Sequence, residues 1–381
     1  MKIGILTFIN EINYGCSLQA FALQQAVKKI KPDCECYIID YTRNRYRDSA
    51  VWIIRKMEYK LLKKDDTPSW TLKEFVSIIR EMNVTNTCCA DTVKLFRKFW
   101  KKNLYTEHVG RTNIRKLNKE MDLFIVGSDQ VWNCGCLNID KTFLLDFVND
   151  NQKKGSYAAS LGLDRVPAKY ANLYRRYLSE FHYLSCREKT GKDVIERLIN
   201  KEVGVCADPT FLLSKNEWKD ITKSIGSIEE DYILVFAMET SSELRQFAEN
   251  ISKQTNYPLF YINSDLTCSD NRAIGPLDFV KLISNAKCVI TSSFHGMAFA
   301  INLEVDFYVQ IAESEYMKSV SSRISDLIDT LGLQNRCFNS NTKEKKYEHI
   351  DYDSVNGKKD AWVEKSRKYL ENMINGIEET R

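Results

Sequence analysis

The sequence predicts an α/β protein made of two domains whose parallel sheets face each other across a cleft. Short apolar runs alternate with amphipathic helical patterns in both halves of the chain, which is typical of a parallel sheet. With 381 residues, the chain is longer than a single hydrophobic core usually accommodates. Polar turns rich in small residues follow several apolar runs, at the sheet edge where such folds bind ligands.

Strands and helices are expected in the following order. The apolar runs predict strands at Ile3–Thr7, Cys36–Asp40, Met121–Val126, Lys154–Ser160, Tyr183–Arg187, Val205–Leu213 (broken by Pro209), Tyr232–Ala237, Pro258–Ile262, Ala286–Thr291 and Phe307–Val309. Periodic apolar positions predict helices at Leu18–Lys29, Tyr170–Glu180, Lys192–Leu198, Leu244–Ser252, Leu277–Asn285, Gly296–Ile301 and Ser319–Leu331.

These elements suggest a division of the chain into domains. We expect a first domain at 1–180, a second at 181–335, and a tail at 336–381 with a helix, for which packing back on the first domain is one option. Strand-like runs are missing between about 41 and 104, where long helical patterns rich in Lys and Arg predict a helical insertion.

Composition describes an ordinary globular protein and limits its partners. Hydrophobic residues make up 44% of the chain and charged residues 28%. A net charge of +4 is too mild for a typical nucleic-acid-binding protein. The twelve cysteines lack CxxC spacing, so neither a zinc site nor another metal site is predicted. With no apolar run of about 18 residues and no signal segment, we expect a cytoplasmic protein.

Eight basic residues between Arg43 and Lys64 alternate with apolar ones. Such a segment could lie on an anionic membrane surface, which would place the protein peripherally at the inner face of the membrane. A solvated basic helix packed on the domain is the alternative, and we favour it.

The most informative turn joins the predicted strand Ala286–Thr291 to an apolar helix and contains His295. A helix N-terminus at a strand end presents free N–H groups and a positive dipole, which favours a phosphate or a carboxylate. His295 would then be a titratable group of an anion site. The alternative is a hydrogen-bonded core histidine.

Two further turns contain side chains suited to catalysis or ligand binding. Asp129 and Gln130 follow the strand Met121–Val126 and offer a base and an amide, unless Asp129 merely caps the next element. Arg187 stands between a strand end and a helix start, where a guanidinium suits bidentate binding of carboxylate or phosphate. An ion pair with Glu188 is the competing use. The loop after the first strand lacks GxGxxG, so no dinucleotide cofactor is predicted.

Taken together, an ordered set of motifs resembles the polysaccharide pyruvyl transferase family over nearly the whole chain. The set comprises Asn13-Tyr14-Gly15 with Leu18-Gln19, the segment GSDQVWN from Gly127 to Asn133, Tyr157–Ser160, Arg187-Glu188, Asp208-Pro209-Thr210, Ser293–Gly296 and Ser322-Arg323. The resemblance implies two Rossmann-like domains arranged as in the two-domain (GT-B-like) glycosyltransferases. It also implies transfer of a pyruvyl group from phosphoenolpyruvate to a sugar as a cyclic ketal, with no metal or nucleotide cofactor.

The resemblance also implies roles for individual residues. His295 is expected to be the general acid or a phosphate partner, Asp129 to orient or deprotonate the acceptor hydroxyl, and Arg187 to hold the donor. Ser293 stands where several family members have arginine, so Arg323 or Lys318 would have to supply that cation. The remaining expected contacts are Ser293 and Gly296 for the donor, and Asn13, Tyr14, Gln130 and Trp132 for the acceptor.

The expected partners are phosphoenolpyruvate and a hexose-containing glycan, free or lipid-linked, and no nucleic acid. Two alternative functions remain open from the sequence. The same cleft could serve a nucleotide-sugar glycosyltransferase, and Ser293 is also compatible with a non-catalytic glycan-binding or assembly protein.

Overall fold

The structure is a computed structural model, and it describes residues 1–9, 11–41, 89–104, 106–109, 113–134, 139–226, 230–237, 241–262, 266–268, 272–311, 315–339 and 345–379. The side chains of 106–108, 315–321 and 378–379 are outside this description. Most of the predicted helical insertion at 41–104, with the basic stretch from Arg43 to Lys64, lies outside the described residues.

The first sheet has five parallel strands in the order β3-β2-β1-β4-β5. Its central strands are short apolar runs with buried side chains, as expected of a sheet covered on both faces. The strands are β1 Lys2–Leu6, β2 Glu35–Tyr41, β3 Thr106–Val109, β4 Leu123–Val126 and β5 Lys154–Ser156.

Two short parallel strands, β6 (Ser185–Cys186) and β7 (Gly204–Val205), form a two-stranded sheet beside the edge of the first one. The Ser156 N–H donates to the carbonyl of Tyr183 at 2.9 Å, and a parallel bridge joins Ala159 to Cys186. The predicted domain boundary at residue 181 stays a prediction, and the residues just beyond it pair with the edge of the first sheet.

The second sheet also has five parallel strands, in the order β12-β11-β10-β8-β9. Its strands are β8 Ile233–Phe236, β9 Leu259–Ile262, β10 Cys288–Thr291, β11 Asp306–Gln310 and β12 Cys337–Phe338. The predicted α/β class with two parallel sheets is thus confirmed.

Helices connect the strands. They are α1 Tyr14–Ile30, α2 Ala90–Asn103, α3 Ala168–Leu178, α4 Lys189–Ile199, α5 Lys215–Thr222, α6 Ser242–Thr255, α7 Pro276–Asn285, α8 Phe294–Leu303, α9 Glu315–Leu331 and α10 Tyr352–Glu379. One continuous hydrophobic core includes residues of both sheets, such as Ile5 in β1 and Val289 in β10. All ten residues of α8 are buried, because this helix lies inside that shared core.

The last helix, α10, contacts both sheets. Near its start, the Tyr352 hydroxyl donates to the Val305 carbonyl at 2.6 Å, just before β11. Two-thirds of the way along, the Tyr369 hydroxyl donates to the Ser156 carbonyl of β5 at 3.2 Å. Leu370 is fully buried beside this contact. The helix therefore ties the two sheets together. Among the described helices, none combines the length and the apolar character needed to cross a membrane.

We predict that Leu370→Ala lowers the free energy of unfolding by about 2–5 kcal/mol, because it removes buried methyl groups and leaves a cavity between α10 and the first sheet. Urea denaturation followed by circular dichroism measures this. Lys368→Ala, at an exposed position two residues earlier, is the matched control and should change little. Equal stability of both variants would contradict the packing described for α10.

Candidate functional site

A buried carboxylate, Asp208, lies where the two sheets meet. It follows β7 by three residues and is fully buried. Its Oδ2 accepts a hydrogen bond from Arg187 Nη1 at 2.7 Å, and His295 Nε2, on α8, lies 3.5 Å from the same oxygen. Its Oδ1 accepts from the Thr210 N–H at 3.0 Å and the Thr210 hydroxyl at 2.8 Å. One carboxylate thus lies beside a guanidinium from the turn after β6 and an imidazole from α8.

This environment keeps Asp208 ionised. Burial alone would raise the pKa of its carboxyl group, but His295 and Arg187 together hold that pKa well below its usual range. The Arg187 guanidinium responds in the opposite direction. Burial tends to lower its pKa, whereas Asp208 and Asp129 raise it above the ordinary value. The charged forms of the pair therefore stabilise each other.

A second carboxylate, Asp129, lies in the turn after β4. Its Oδ1 is 3.8 Å from Arg187 Nη2 and accepts the Gln130 N–H at 2.8 Å. Its Oδ2 accepts from the Cys16 thiol at 2.9 Å. Burial tends to raise the pKa of Asp129, but Arg187 and His295 lower it overall. Arg187 therefore lies between two ionised carboxylates.

Glycines bring the backbone close enough to build this cluster. Gly15 is in the first turn of α1, where an added Cβ would lie only 2.0 Å from Nδ1 of His295. Gly127 has φ of +113°, and a Cβ there would lie 2.4 Å from the Tyr157 carbonyl oxygen. Only glycine allows the α1 terminus to contact the imidazole and the β4 turn to contact β5.

Several polar atoms in the cluster still have capacity to bind a ligand. In the described part of the chain, Arg187 Nε and Nη2 and His295 Nε2 are buried without a hydrogen-bond partner. Buried donors usually have partners, so unpaired ones concentrated at one place indicate a ligand site. Donors from a guanidinium and an imidazole favour an anion.

Arg323, on α9, contributes a second guanidinium. It lies 5.7 Å from the centre of the Phe294 ring, and Arg187 lies 4.4 Å from the same centre. With the Gln130 amide oxygen turned towards it, Arg323 Nη1 donates to that oxygen at 3.0 Å. The two arginines thus flank one aromatic ring. The side chain of Lys318, the other predicted cation, lies outside the described residues.

A small pocket opens beside these arginines, between α4, α9 and α10. Its lining includes Arg187, Lys189, Phe294, Arg323, Asp326 and Trp362. The predominance of cations suits an anionic group. Among the residues that the structure describes, no three His, Cys, Asp or Glu side chains converge as metal ligands do.

Two residues predicted to bind the acceptor are structural instead. Tyr14 is 2% exposed, its ring stacks on Phe279 at 4.5 Å, and its hydroxyl donates to the Ile274 carbonyl at 3.3 Å. Trp132 is 1% exposed, and its Nε1 donates to the Phe143 carbonyl at 2.8 Å. Neither side chain can touch a substrate, so both predictions are wrong.

Other predicted contacts are helix caps. The Asn13 side chain accepts from the Cys16 N–H at 3.2 Å and caps α1, and Ser293 Oγ accepts from the Gly296 N–H at 3.3 Å and caps α8. Gly296 also lets α8 approach β10, since a Cβ there would lie 2.7 Å from Thr291 Oγ1. Its N–H is already bonded, so a donor-binding role for Gly296 is not supported.

The alternative pairing of Arg187 with Glu188 is also wrong. Glu188 Oε1 accepts the N–H groups of Leu161 and Gly162, each at 2.9 Å, and so fixes the loop after β5. Arg187 points instead towards Asp208.

Sequence reasoning missed two members of the site, Asp208 and Cys16. Asp208 precedes Pro209 in the run Val205–Leu213, which the sequence predicts to be a broken strand, and no role was predicted for its carboxylate. The need of a buried Arg187 for a buried carboxylate is the signal that pointed to it. For Cys16, the only indication in the sequence is its position next to Gly15, at the end of the loop that follows the first strand.

Comparison with known proteins places this geometry in a family. The family model of the polysaccharide pyruvyl transferases matches residues 13–309, a range that includes Asp129, Arg187, Asp208 and His295. No functionally curated protein matches the chain significantly.

Several solved structures are similar to this chain at low sequence identity. The wall teichoic acid polymerase TagF is 13% identical, with a TM-score of 0.48 over 100% of this chain and 89% of that chain. UDP-GlcNAc 2-epimerase from Methanocaldococcus jannaschii is 12% identical, with a TM-score of 0.43 over 96% and 94% of the two chains. ADP-heptose heptosyltransferase II from E. coli is 11% identical, with a TM-score of 0.35 over 99% and 98%.

The family match covers most of the chain and carries the assignment without these distant likenesses. The protein belongs to the polysaccharide pyruvyl transferase family.

Proposed function

We propose that the protein transfers the pyruvyl group of phosphoenolpyruvate to a hexose of a surface polysaccharide, or of its lipid-linked precursor, as a cyclic ketal. The observation that carries this proposal is the buried Arg187 beside His295 and Asp208, since its Nε and Nη2 have no hydrogen-bond partner among the described residues. The family membership supports the reaction class.

The donor carries a carboxylate and a phosphate, and each needs cationic hydrogen-bond donors. Arg187 offers its two unused nitrogen atoms to one anionic group, and Arg323 faces the same Phe294 ring from farther away. Arg323 thereby supplies the cation that Ser293 cannot. Charge-assisted hydrogen bonds in a site screened from water are strong, so two arginines suffice to hold both groups.

His295 protonates the methylene carbon of the donor, which makes C2 electrophilic. One sugar hydroxyl adds to C2, the bond from C2 to the phosphate oxygen breaks, and the second hydroxyl adds to close the ketal. The two sugar hydroxyls release two protons. One returns to His295 and restores the proton that it gave to the new methyl group, and the other leaves with the phosphate. The Asp208 carboxylate lies 3.5 Å from Nε2 of this imidazole, beyond a typical hydrogen-bond distance, and acts on it through its charge.

Asp129 receives the acceptor. Its lowered pKa keeps it ionised, so it can accept a hydrogen bond from a sugar hydroxyl and turn the oxygen lone pair towards C2. Gln130, next in the chain, is partly exposed and adds an amide for the sugar. No nucleotide or metal takes part in this sequence of steps.

The proposal predicts release of inorganic phosphate when the protein is incubated with phosphoenolpyruvate and a panel of hexose-terminated lipid-linked and nucleotide-linked glycans. A ketal on the glycan should appear in the mass spectrum. His295→Ala, Asp208→Asn and Arg187→Ala should each lower kcat/KM by about 100-fold or more, whereas Lys368→Ala should not.

Calorimetry separates the alternatives. Binding of a nucleoside diphosphate in preference to phosphoenolpyruvate would favour a nucleotide-sugar glycosyltransferase. If neither phosphate release nor donor binding occurs, while deletion of the protein abolishes glycan assembly in cells, a non-catalytic role replaces the proposal.

A second prediction concerns Gly15. In Gly15→Ala the new Cβ would overlap the imidazole of His295, so the ring must move and kcat should fall by about 100-fold. Gly357→Ala on α10 is the control, because an added Cβ there meets no atom within 4 Å. Steady-state kinetics and thermal melting measure both variants. Full activity of Gly15→Ala would show that the position of the His295 ring is unimportant.

A third prediction concerns Cys16. Burial and the neighbouring Asp129 raise the pKa of this thiol well above its usual value, so it stays protonated and donates to Asp129. Without that donor the pKa of Asp129 rises, and its ionised form is lost at a higher pH. Cys16→Ala should therefore move the acid limb of the kcat/KM profile to higher pH.

Cys16→Ser keeps a donor and should leave the acid limb close to that of the wild type. The two variants separate hydrogen bonding from packing, since both shorten the side chain. Identical acid limbs in Cys16→Ala and the wild type would show that the thiol does not position Asp129.

A further inference from the structure

The exposed face of α2 is strongly basic. Lysine or arginine occupies five exposed positions with the spacing of one helix face, over about 12 Å of helix axis at 1.5 Å per residue. These residues are Lys94, Arg97, Lys98, Lys101 and Lys102. We call them the basic face of α2.

Little in the described part of the chain neutralises the basic face. Lys94 pairs with Asp91 at 2.8 Å, and the other four cations contact no described carboxylate. Exposed lysines of α10 differ, because acidic residues such as Asp360 and Glu364 alternate with them. Like charges three and four residues apart destabilise a helix, so this concentration favours an anionic partner outside the chain.

The opposite face of α2 is fixed to the rest of the protein. Phe96 is fully buried and Phe99 is 5% exposed. The Trp100 indole N–H donates to Ser17 Oγ of α1 at 2.9 Å. The helix therefore cannot turn its apolar side outwards. Any partner of the basic face must be held by charge, without insertion of apolar side chains.

We propose that the basic face of α2 docks the protein on an anionic phospholipid surface. Clusters of four to eight Lys or Arg on one side of a helix are enough for such binding, which needs only charge. Protein interfaces usually rely on buried aromatic and apolar anchors, and the basic face has none exposed. It likewise lacks an exposed aromatic residue on which nucleic-acid bases stack.

The helix that carries the basic face packs near the candidate site through its buried side. Phe96, on the buried side of α2, lies 5.3 Å from the Tyr14 ring, and the next residue, Gly15, contacts His295. Docking through α2 would bring the site close to a lipid-linked acceptor. This link to catalysis rests on the proposed function, whereas membrane binding itself does not.

Cosedimentation of the full-length protein with vesicles tests the proposal. At about 0.1 M salt, the protein should bind phosphatidylcholine vesicles that contain about one-third phosphatidylglycerol, and not pure phosphatidylcholine. Changing all five cations of the basic face to glutamine should weaken binding by at least about 100-fold, since each contributes roughly fivefold. Binding should also fall steeply with salt.

The matched control is Lys358→Gln, Lys365→Gln, Lys368→Gln on α10, which should bind as the wild type does. Circular dichroism verifies that both variants are folded. The proposal is overturned if the variant with all five substitutions binds as well as the wild type does, or if the wild type does not bind anionic vesicles. Binding to a single-stranded oligonucleotide without binding to vesicles also overturns it. Loss of transferase activity is not among the readouts, so failure of the proposed reaction leaves this test intact.

Discussion

A charged carboxylate without access to water is the constraint on which the site depends. Asp208 is fully buried, and its ionised form is tolerable only while Arg187 and His295 remain beside it. Since Arg187 follows β6 and His295 lies on α8, which packs in the core shared by both five-stranded sheets, the carboxylate fixes these two elements as well as the two side chains. Removing either partner would leave a buried charge uncompensated, so the cluster is assembled or lost as a unit.

The charge balance explains why the cluster can receive an anion. Asp129 and Asp208 together carry two negative charges, and Arg187 and Arg323 carry two positive ones. Without a ligand the site is close to neutral, while two nitrogen atoms of Arg187 still lack partners in the described part of the chain. An arriving anion therefore gains hydrogen bonds from this guanidinium.

Much of this arrangement could be predicted from the sequence. The rest could not, for physical reasons that differ from residue to residue. Apolar runs gave the central strands because burial leaves a local pattern, and the turns holding Asp129 and His295 followed from strand ends. Tyr14 was misassigned because a polar tip beside a glycine turn is compatible with either a substrate or a neighbouring helix. The pairing of β6 with the first sheet involves two residues, too few to show a period, and Asp208 is recognisable only through its distant partners.

Ser293 caps a helix at a position where a cation was expected. The resemblance to the family led us to expect a cation there, but the serine caps α8 through the Gly296 N–H, a contact that typically contributes about 1 kcal/mol. An arginine at this position would give up that hydrogen bond. Arg323 approaches the same Phe294 ring from α9 instead, and its electrostatic effect on Asp129 is favourable. Under the proposed function, this second cation acts on Asp129, the carboxylate that receives the acceptor, so one guanidinium can stabilise both substrates.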